Sequence, residues 1–356
     1  MAQDVAQEAG DGPFLVGVSP HVRSPEDVAR LMWSVVLALV PAWLAALFFF
    51  GPYAAVFVVG LSVATAVLTE AVIQKLKGGP VTVSDGSAVV TGVLYAFVLP
   101  PNAPWYVVIV GAFVAIAIVK QAFGGLGCNI WNPALVGRAF VHLSFATPMN
   151  LPEWPVLQTG RRIVGNLASG ADAVTSATPL SWPVAHDLMG LAPAVAHTHY
   201  RFLDLFLGAR PGCIGEVSAL ALLIGGIYLI ARKVIDWRVP VFMVAAAAVM
   251  AFVFPYLAVG HRAFFPGLRD PGIVLYHVLS GGLLIGAFFM ATDYVTTPLT
   301  RRGLVVFGIG AGALVGAIRL FSRAFPEGVC FAILLMNTAT ALMDRWTLPR
   351  VFGGRR

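Results

Sequence analysis

Apolar residues run in long blocks along this chain, and polar residues gather in the short stretches between them. Ten blocks stand out, at 30–50, 53–74, 87–100, 105–121, 133–146, 216–231, 239–257, 273–291, 303–320 and 328–344. A helix that is apolar all round has no face for water and must lie in lipid or in a large core. About 20 helical residues cross the roughly 30 Å of bilayer hydrocarbon. The pattern therefore predicts an all-α integral membrane protein of about ten transmembrane helices. Residues 1–23 are polar and predict a loose or peripheral segment. Ser24 reads as the cap of the first helix, with Pro25 at its first position and Asp27 three residues after the cap.

The blocks divide into five before and five after a long polar stretch, and an odd number per half makes any repeat an inverted one. Weak similarity supports such a repeat. Thr91-Gly92-Val93-Leu94 in the third block resembles Ser280-Gly281-Gly282-Leu283 in the eighth. A break containing Phe and Gly follows in each half, at 123–127 and at 325–328. Inverted halves with broken helices are a membrane-transport architecture. The predicted organisation is a cytoplasmic segment 1–29, a five-helix repeat 30–146, an extracytoplasmic loop 147–215, a second repeat 216–344 and a cytoplasmic tail 345–356.

Composition strengthens this picture. Of 356 residues, 58% are hydrophobic and 11% charged, against about 25% charged in soluble domains. The net charge of +6 comes without a dense Lys/Arg run, which argues against a nucleic-acid partner and makes the lipid bilayer the partner of most of the surface. The basic residues instead flank apolar blocks. With the N-terminus inside, fourteen of them, Lys120 included, fall on the cytoplasmic side and eight outside, while Arg138 falls within a helix. Both termini are therefore expected in the cytoplasm. The acidic N-terminus lacks the basic start of a signal peptide. Cys128, Cys213 and Cys330 lack metal-ligand spacing and read as small buried residues near helix ends.

Two features carry candidate chemistry inside the apolar chain. The first is Gly124-Gly125-Leu126-Gly127-Cys128-Asn129-Ile130-Trp131-Asn132-Pro133. Its glycines free the backbone, Asn132 suits a helix cap and Pro133 a first turn. A helix starting within the membrane would aim free N–H groups at a cavity and could hold an anionic or carbonyl-rich group such as a flavin ring edge. A tight helical hairpin packed by small residues explains the same run. The second feature is a set of acids at or near membrane depth, Glu70, Asp85, Glu216, Asp293, Glu327 and Asp344. Such acids often mark ion paths, although Asp85 could simply cap the third block and Asp293 and Asp344 lie near enough to the membrane face to reach water.

In the long loop, Asp172-Ala173-Val174-Thr175-Ser176-Ala177-Thr178-Pro179-Leu180 exposes hydroxyls on a small-residue backbone. On its own it reads as an ordinary turn. It resembles the flavinylation motif, Asp, two variable residues, Ser or Thr, a small residue, Ala, then Ser or Thr, in which the last hydroxyl receives FMN from FAD. Further matching stretches are Ser19-Pro20-His21, Ser84 to Ser87, Phe123 to Arg138, Ile214-Gly215-Glu216, Met290 to Asp293 and Pro326 to Val329. Together they resemble the RnfD family, the D subunits of the Rnf ion-translocating electron-transport complex, related to the B subunits of the sodium-translocating NADH:quinone reductase. The short N-terminus favours the Rnf branch.

That resemblance implies FMN joined to Thr178 by a phosphoester, with Thr175 and Ser176 as rival acceptors, since Ser176 stands where the family often has Gly. It implies a flavin transferase as modifying enzyme. It also implies partner subunits that carry a second flavin and iron–sulfur centres, and a place in the bacterial inner membrane. A non-covalent riboflavin is implied too, near the glycine-rich break. The expected function is electron relay between ferredoxin and NAD coupled to Na+ or H+ movement. No G-x-G-x-x-G stands within a strand–helix unit, so NADH oxidation is assigned to partners. The competing class is a solute transporter or channel without redox chemistry, which inverted five-helix halves would suit equally well.

Overall fold

In the computed structural model, residues 27–149, 202–208, 212–254, 271–321 and 328–348 are described. Among them every regular element is helical and none is a strand. Helix α1 (Val28–Phe50) starts behind Asp27, whose carboxylate accepts from Val28 N at 2.7 Å. The cap is thus Asp27 in place of the expected Ser24, which lies outside the described residues. Gly51, at φ +82°, ends α1, and Pro52 leads directly into α2 (Tyr53–Leu76). Then come α3 (Ser87–Phe97), α4 (Trp105–Gln121), whose last turns, Val114–Gln121, are π-helical, and α5 (Pro133–Ser144). The second half holds α6 (Ala219–Ala231), α7 (Arg238–Val253), α8 (Pro271–Leu279), α9 (Leu283–Ile285 running into a π turn, Gly286–Met290), α10 (Arg301–Phe321) and α11 (Val329–Thr347).

The packing is inside-out relative to a soluble bundle. On α1 the buried positions Ser34, Ala38, Ala42 and Ala46 recur every four residues, whereas Leu37, Leu44 and Phe48 face outward. On α2, Ser62, Ala66 and Glu70 form the same kind of stripe. Small residues let helix backbones approach where lipid already satisfies the large apolar side chains. Ser62 Oγ donates to Gly92 O at 2.7 Å across the α2–α3 contact. Among the described residues three helices, Val28–Phe50, Tyr53–Leu76 and Arg301–Arg319, are long and apolar enough to cross a membrane. By contrast, α3 with 11 residues and α5 with 12 reach only about 16–18 Å at 1.5 Å per residue, roughly half of the hydrocarbon core.

The expected eighth block, 273–291, is not one helix. It stops at Leu279 and resumes at Leu283, with Gly281 at φ +66°. Breaking a helix frees backbone carbonyls that lipid cannot satisfy. Arg319 of α10 meets that need, donating to His277 O at 2.6 Å and Ser280 O at 3.2 Å. The resemblance of residues 280–283 to 91–94 does not mark a shared break, because α3 runs unbroken through Gly92. There glycine serves close approach: a Cβ would lie 2.8 Å from Val63 Cα. The end of the expected loop 147–215 packs into the bundle. Gly212 to Ser218 are buried, and Ile214 N donates to Leu99 O at 2.9 Å.

Candidate functional site

The glycine-rich run joins α4 to α5 with Gly124, Gly125 and Gly127 at φ +123°, +98° and +90°. All three lie in the region that L side chains avoid, so the tight reversal depends on glycine here. Asn132 then caps α5, its Oδ1 accepting from Ala134 N at 3.0 Å and Leu135 N at 3.3 Å, and Pro133 fills the first position. Its Nδ2 donates across the bundle to Met290 O at 3.2 Å. Asn337 of α11, with its amide turned to satisfy both neighbours, donates to Ile333 O and accepts from Asn132 N. Asn337 is ten residues short of the end of α11 at Thr347, or about 15 Å along the helix axis. Helix α5 therefore begins deep in the bundle, and its N-terminal dipole points into the interior.

A cleft of about 90 Å³ opens in front of that helix start, between α3, α5 and the end of α9. On the measure by which one water needs about 10–15 Å³, it holds several waters. Its lining includes the apolar Leu94, Phe288 and Phe289 and the polar Thr91, Lys120, Asn129, Asn132, Thr292 and Asp293. Asn129 donates to Trp131 O at 3.2 Å and its side chain bonds Asp293. Asp293 sits in the loop after α9, where Val295 N and Thr296 Oγ1 reach its carboxylate at 3.4 Å each. Burial pushes its carboxyl up from the ordinary value, and those hydrogen bonds together with the Lys120 charge only partly oppose the rise.

Beside the cleft lies a second polar cluster. Lys120 Nζ donates to Glu70 Oε2 at 2.8 Å and to Ser87 Oγ at 2.6 Å, with both charged side chains almost fully buried. Glu70 Oε1 accepts from Gln121 Nε2 at 3.1 Å and Gln74 Nε2 at 3.2 Å. Charge counting along the chain places Lys120 among the cytoplasmic topology charges, and the structure adds a buried partner for it. Lys120 closes a buried ion pair with a residue 50 positions away. The usable signal was its place inside the apolar block 105–121, followed by Gln121, whereas topology charges lie outside such blocks.

The remaining expected acids fall into different settings. Asp85 accepts from Ser87 N at 2.8 Å and Ser87 Oγ at 2.7 Å, bridging the turn into α3, whose cap position is held by Gly86. Asp344 accepts from Leu299 N at 2.9 Å and Thr300 N at 3.4 Å, pinning the loop before α10. Glu216 is buried in a short turn, Ile214–Glu216, 4.0 Å from the guanidinium of Arg138 on α5. The structure thus brings Asn129, Asn132 and Asp293 to one cleft, keeps Gly124, Gly125 and Gly127 in the reversal that leads to it without lining it, sets Glu70 and Asp85 around its Lys120 edge, and keeps Glu216 and Asp344 elsewhere. Glu327 and the segment Asp172, Thr175, Ser176, Ala177, Thr178, Pro179, Leu180 lie outside the described residues. Sequence reasoning missed Lys120, Gln74 and Gln121 as site residues, and Phe288 and Phe289 as cleft wall.

Comparison with known proteins covers nearly the whole chain. The NQR2, RnfD, RnfE family matches residues 15–353. The D subunit of the proton-translocating ferredoxin:NAD(+) oxidoreductase complex of Clostridium ljungdahlii is 43% identical over 96% of this chain and 97% of its own. The Na(+)-translocating counterpart of Acetobacterium woodii is 45% identical over 95% of each chain. The D subunit of the ion-translocating oxidoreductase complex of Stutzerimonas stutzeri is 39% identical over 93% of each. One relative is named for protons and another for sodium at nearly equal identity, so overall likeness does not choose the ion. With an all-helical bundle, lipid-type packing and full-length relatives in membrane complexes, this is a multi-pass membrane protein, and the chain belongs to the NQR2, RnfD, RnfE family.

Proposed function

We propose that this chain is the membrane subunit of an ion-translocating complex that moves electrons between ferredoxin and NAD. It carries FMN esterified to Thr178 and takes a second flavin, riboflavin, without a covalent bond in the cleft before α5. The observation that carries the cleft assignment is the capped start of α5 deep in the bundle, at a cleft that Lys120, Asp293, Phe288 and Phe289 also line. A flavin has an apolar benzenoid end and a polar end of carbonyls and ring nitrogens, and the cleft lining offers side chains of both kinds. The cavity is smaller than three fused rings, so entry requires lining side chains to move.

A bound flavin supplies the electron chemistry, and the protein supplies position and field. Asn129 and Asn132 would orient the polar edge, the α5 dipole and Lys120 favour negative charge there, and buried Asp293 can hold a proton at its carboxyl. Oxidation of NADH belongs to partners. Those partners are a second flavin-carrying subunit and iron–sulfur subunits, and a flavin transferase modifies Thr178.

The two halves are read as inverted repeats forming ten spans, with α8 and α9 one interrupted span. Packing supports this. The first helices of each half meet (α1 on α6), the last helices meet (α5 on α11), and the second pairs with the fourth in both (α2 with α4, α7 with α10). The boundaries are 1–29, 30–146, 147–215, 216–344 and 345–356. In the bacterial inner membrane both termini and the cleft end face the cytoplasm, and the Thr178 loop faces outward, where its hydroxyl can be esterified. After denaturing electrophoresis, chain from a host with the flavin transferase shows a fluorescent band that Thr178→Val removes and Thr175→Val keeps. A dark wild-type band overturns the covalent assignment and favours a solute transporter. Riboflavin released on precipitation, and lost in Asn129→Leu, tests the cleft.

A further inference from the structure

Helices α7 and α10 lie side by side and run in the same direction. A Cβ at Gly308 would meet Val239 O at 3.0 Å, one at Gly312 would meet Met243 O, and one at Gly316 would meet Met250 Cβ at 2.5 Å, so the contact advances along both helices together. Both N-termini therefore emerge at one end of the bundle, each with the positive end of its dipole. Val241, Ala245 and Val249 form an exposed stripe on α7, and Arg302, Val306 and Ile309 form one on α10. The two stripes flank an apolar seam that has glycine on its α10 side.

Positive charge gathers at the head of that seam. Arg301 and Arg302 open α10, and Arg232 and Lys233 stand in the turn that leads to α7; all four are exposed. Arg302 lies six residues before Gly308, about 9 Å along the axis, just past the start of α7. Among the described residues none of the four has a carboxylate within 4 Å. The carboxylates beside them are engaged: Asp236 holds Arg238 at 2.7 Å, and Asp344 accepts from Leu299 N and Thr300 N. Lys233 closes α6 at φ +57°, the only positive φ outside glycine among the described residues. Helices end in this conformation most cheaply on glycine, so here a charged side chain is carried at a backbone cost. Trp237 is exposed beside it, stacked on Phe242 with ring centroids 6.5 Å apart and with the Arg238 guanidinium 5.4 Å from its ring. Indoles of this kind sit at the level of lipid headgroups, which favours a lipid over an acidic protein segment.

We propose that Arg232, Lys233, Arg301 and Arg302 bind the phosphate of an anionic phospholipid whose acyl chains lie along the α7–α10 seam. Basic pockets between transmembrane helices take such headgroups. The geometry is that of one ligand with two ends, a charged head against unpaired cations and an apolar tail against the two stripes.

The test uses the full chain in neutral detergent, with radiolabelled dioleoyl phosphatidylglycerol or dioleoyl phosphatidylcholine counted after gel filtration. Phosphatidylglycerol should be retained saturably and above phosphatidylcholine. Arg302→Gln and Lys233→Asn should each weaken that retention about fivefold, the worth of one basic residue near an anionic surface. Asn suits a left-handed turn, so Lys233→Asn should melt no lower than wild type, which separates lost binding from lost fold. Lys75→Gln, in the last turn of α2, should bind as wild type does. Equal retention of the two lipids by wild type overturns the proposal, as does equal weakening by Arg302→Gln and Lys75→Gln. Displacement of the lipid by an equal concentration of inorganic phosphate means a simple anion site and overturns it too. In purified complex the same preference should persist. If complex retains no phosphatidylglycerol and Arg302→Gln complex sheds a subunit, a partner protein covers the cluster and the lipid assignment is wrong.

Discussion

Replacing Asn132 by Ala removes a side chain that does two separable jobs. Its Oδ1 caps α5 through Ala134 N and Leu135 N, and its Nδ2 satisfies Met290 O at the end of α9. Loss of a cap costs about 1 kcal/mol, and leaving a buried carbonyl without its donor costs about 1–3 kcal/mol. The sum is about 2–4 kcal/mol. At about 2 °C per kcal/mol, the lower end for large domains, the melting temperature falls by about 4–8 °C. Asn132→Asp keeps the capping oxygen and adds a charge that suits the helix N-terminus by about 0.3–1 kcal/mol, yet forfeits the donor to Met290. It should therefore fall between wild type and Asn132→Ala in stability. Thermal unfolding in detergent, read beside extracted riboflavin, checks the order. If Asn132→Ala melts within a degree of wild type, neither bond holds α5. If Asn132→Asp is as damaging as Asn132→Ala, the cap is not the source of the loss.

Other expectations follow from single contacts. A Cβ at Gly225 of α6 would lie 2.1 Å from Ala38 O of α1, so Gly225→Ala should cost about 1–3 kcal/mol by overpacking. Gly60, with nothing within 4 Å, should accept Ala with a gain of up to about 1 kcal/mol; paired melts test the contrast. Asp344→Ala removes the acceptor for Leu299 N and Thr300 N and should cost about 1–3 kcal/mol, read as lowered hydrogen-exchange protection at 299–300. Because burial raises the Asp293 carboxyl above its ordinary 3.8, the folded state holds a proton that the unfolded chain releases. Wild type should then lose stability relative to Asp293→Asn as pH rises from about 3.8 through the raised folded value, and stay level above it. A difference that grows in the opposite direction refutes that sign.

Features governed by neighbours along the chain are legible in the sequence itself. The α5 start at Asn132-Pro133 follows from capping and proline rules, and the extents of α1, α2, α4 and α10 follow from unbroken apolar runs, because a helix satisfies its own backbone within a few residues. The likeness to known relatives is also written there. Tertiary structure alone decided what closes across the bundle. Lys120 and Glu70 are 50 residues apart and Arg138 and Glu216 are 78 apart, and in lipid a buried charge is tolerable only where folding brings its partner. The same rule split the eighth block: a break at Ser280 to Gly282 is affordable because Arg319, from another helix, supplies the donors its carbonyls lost. A one-dimensional pattern shows which residues are costly in hydrocarbon; which partner offsets each cost depends on three-dimensional contact.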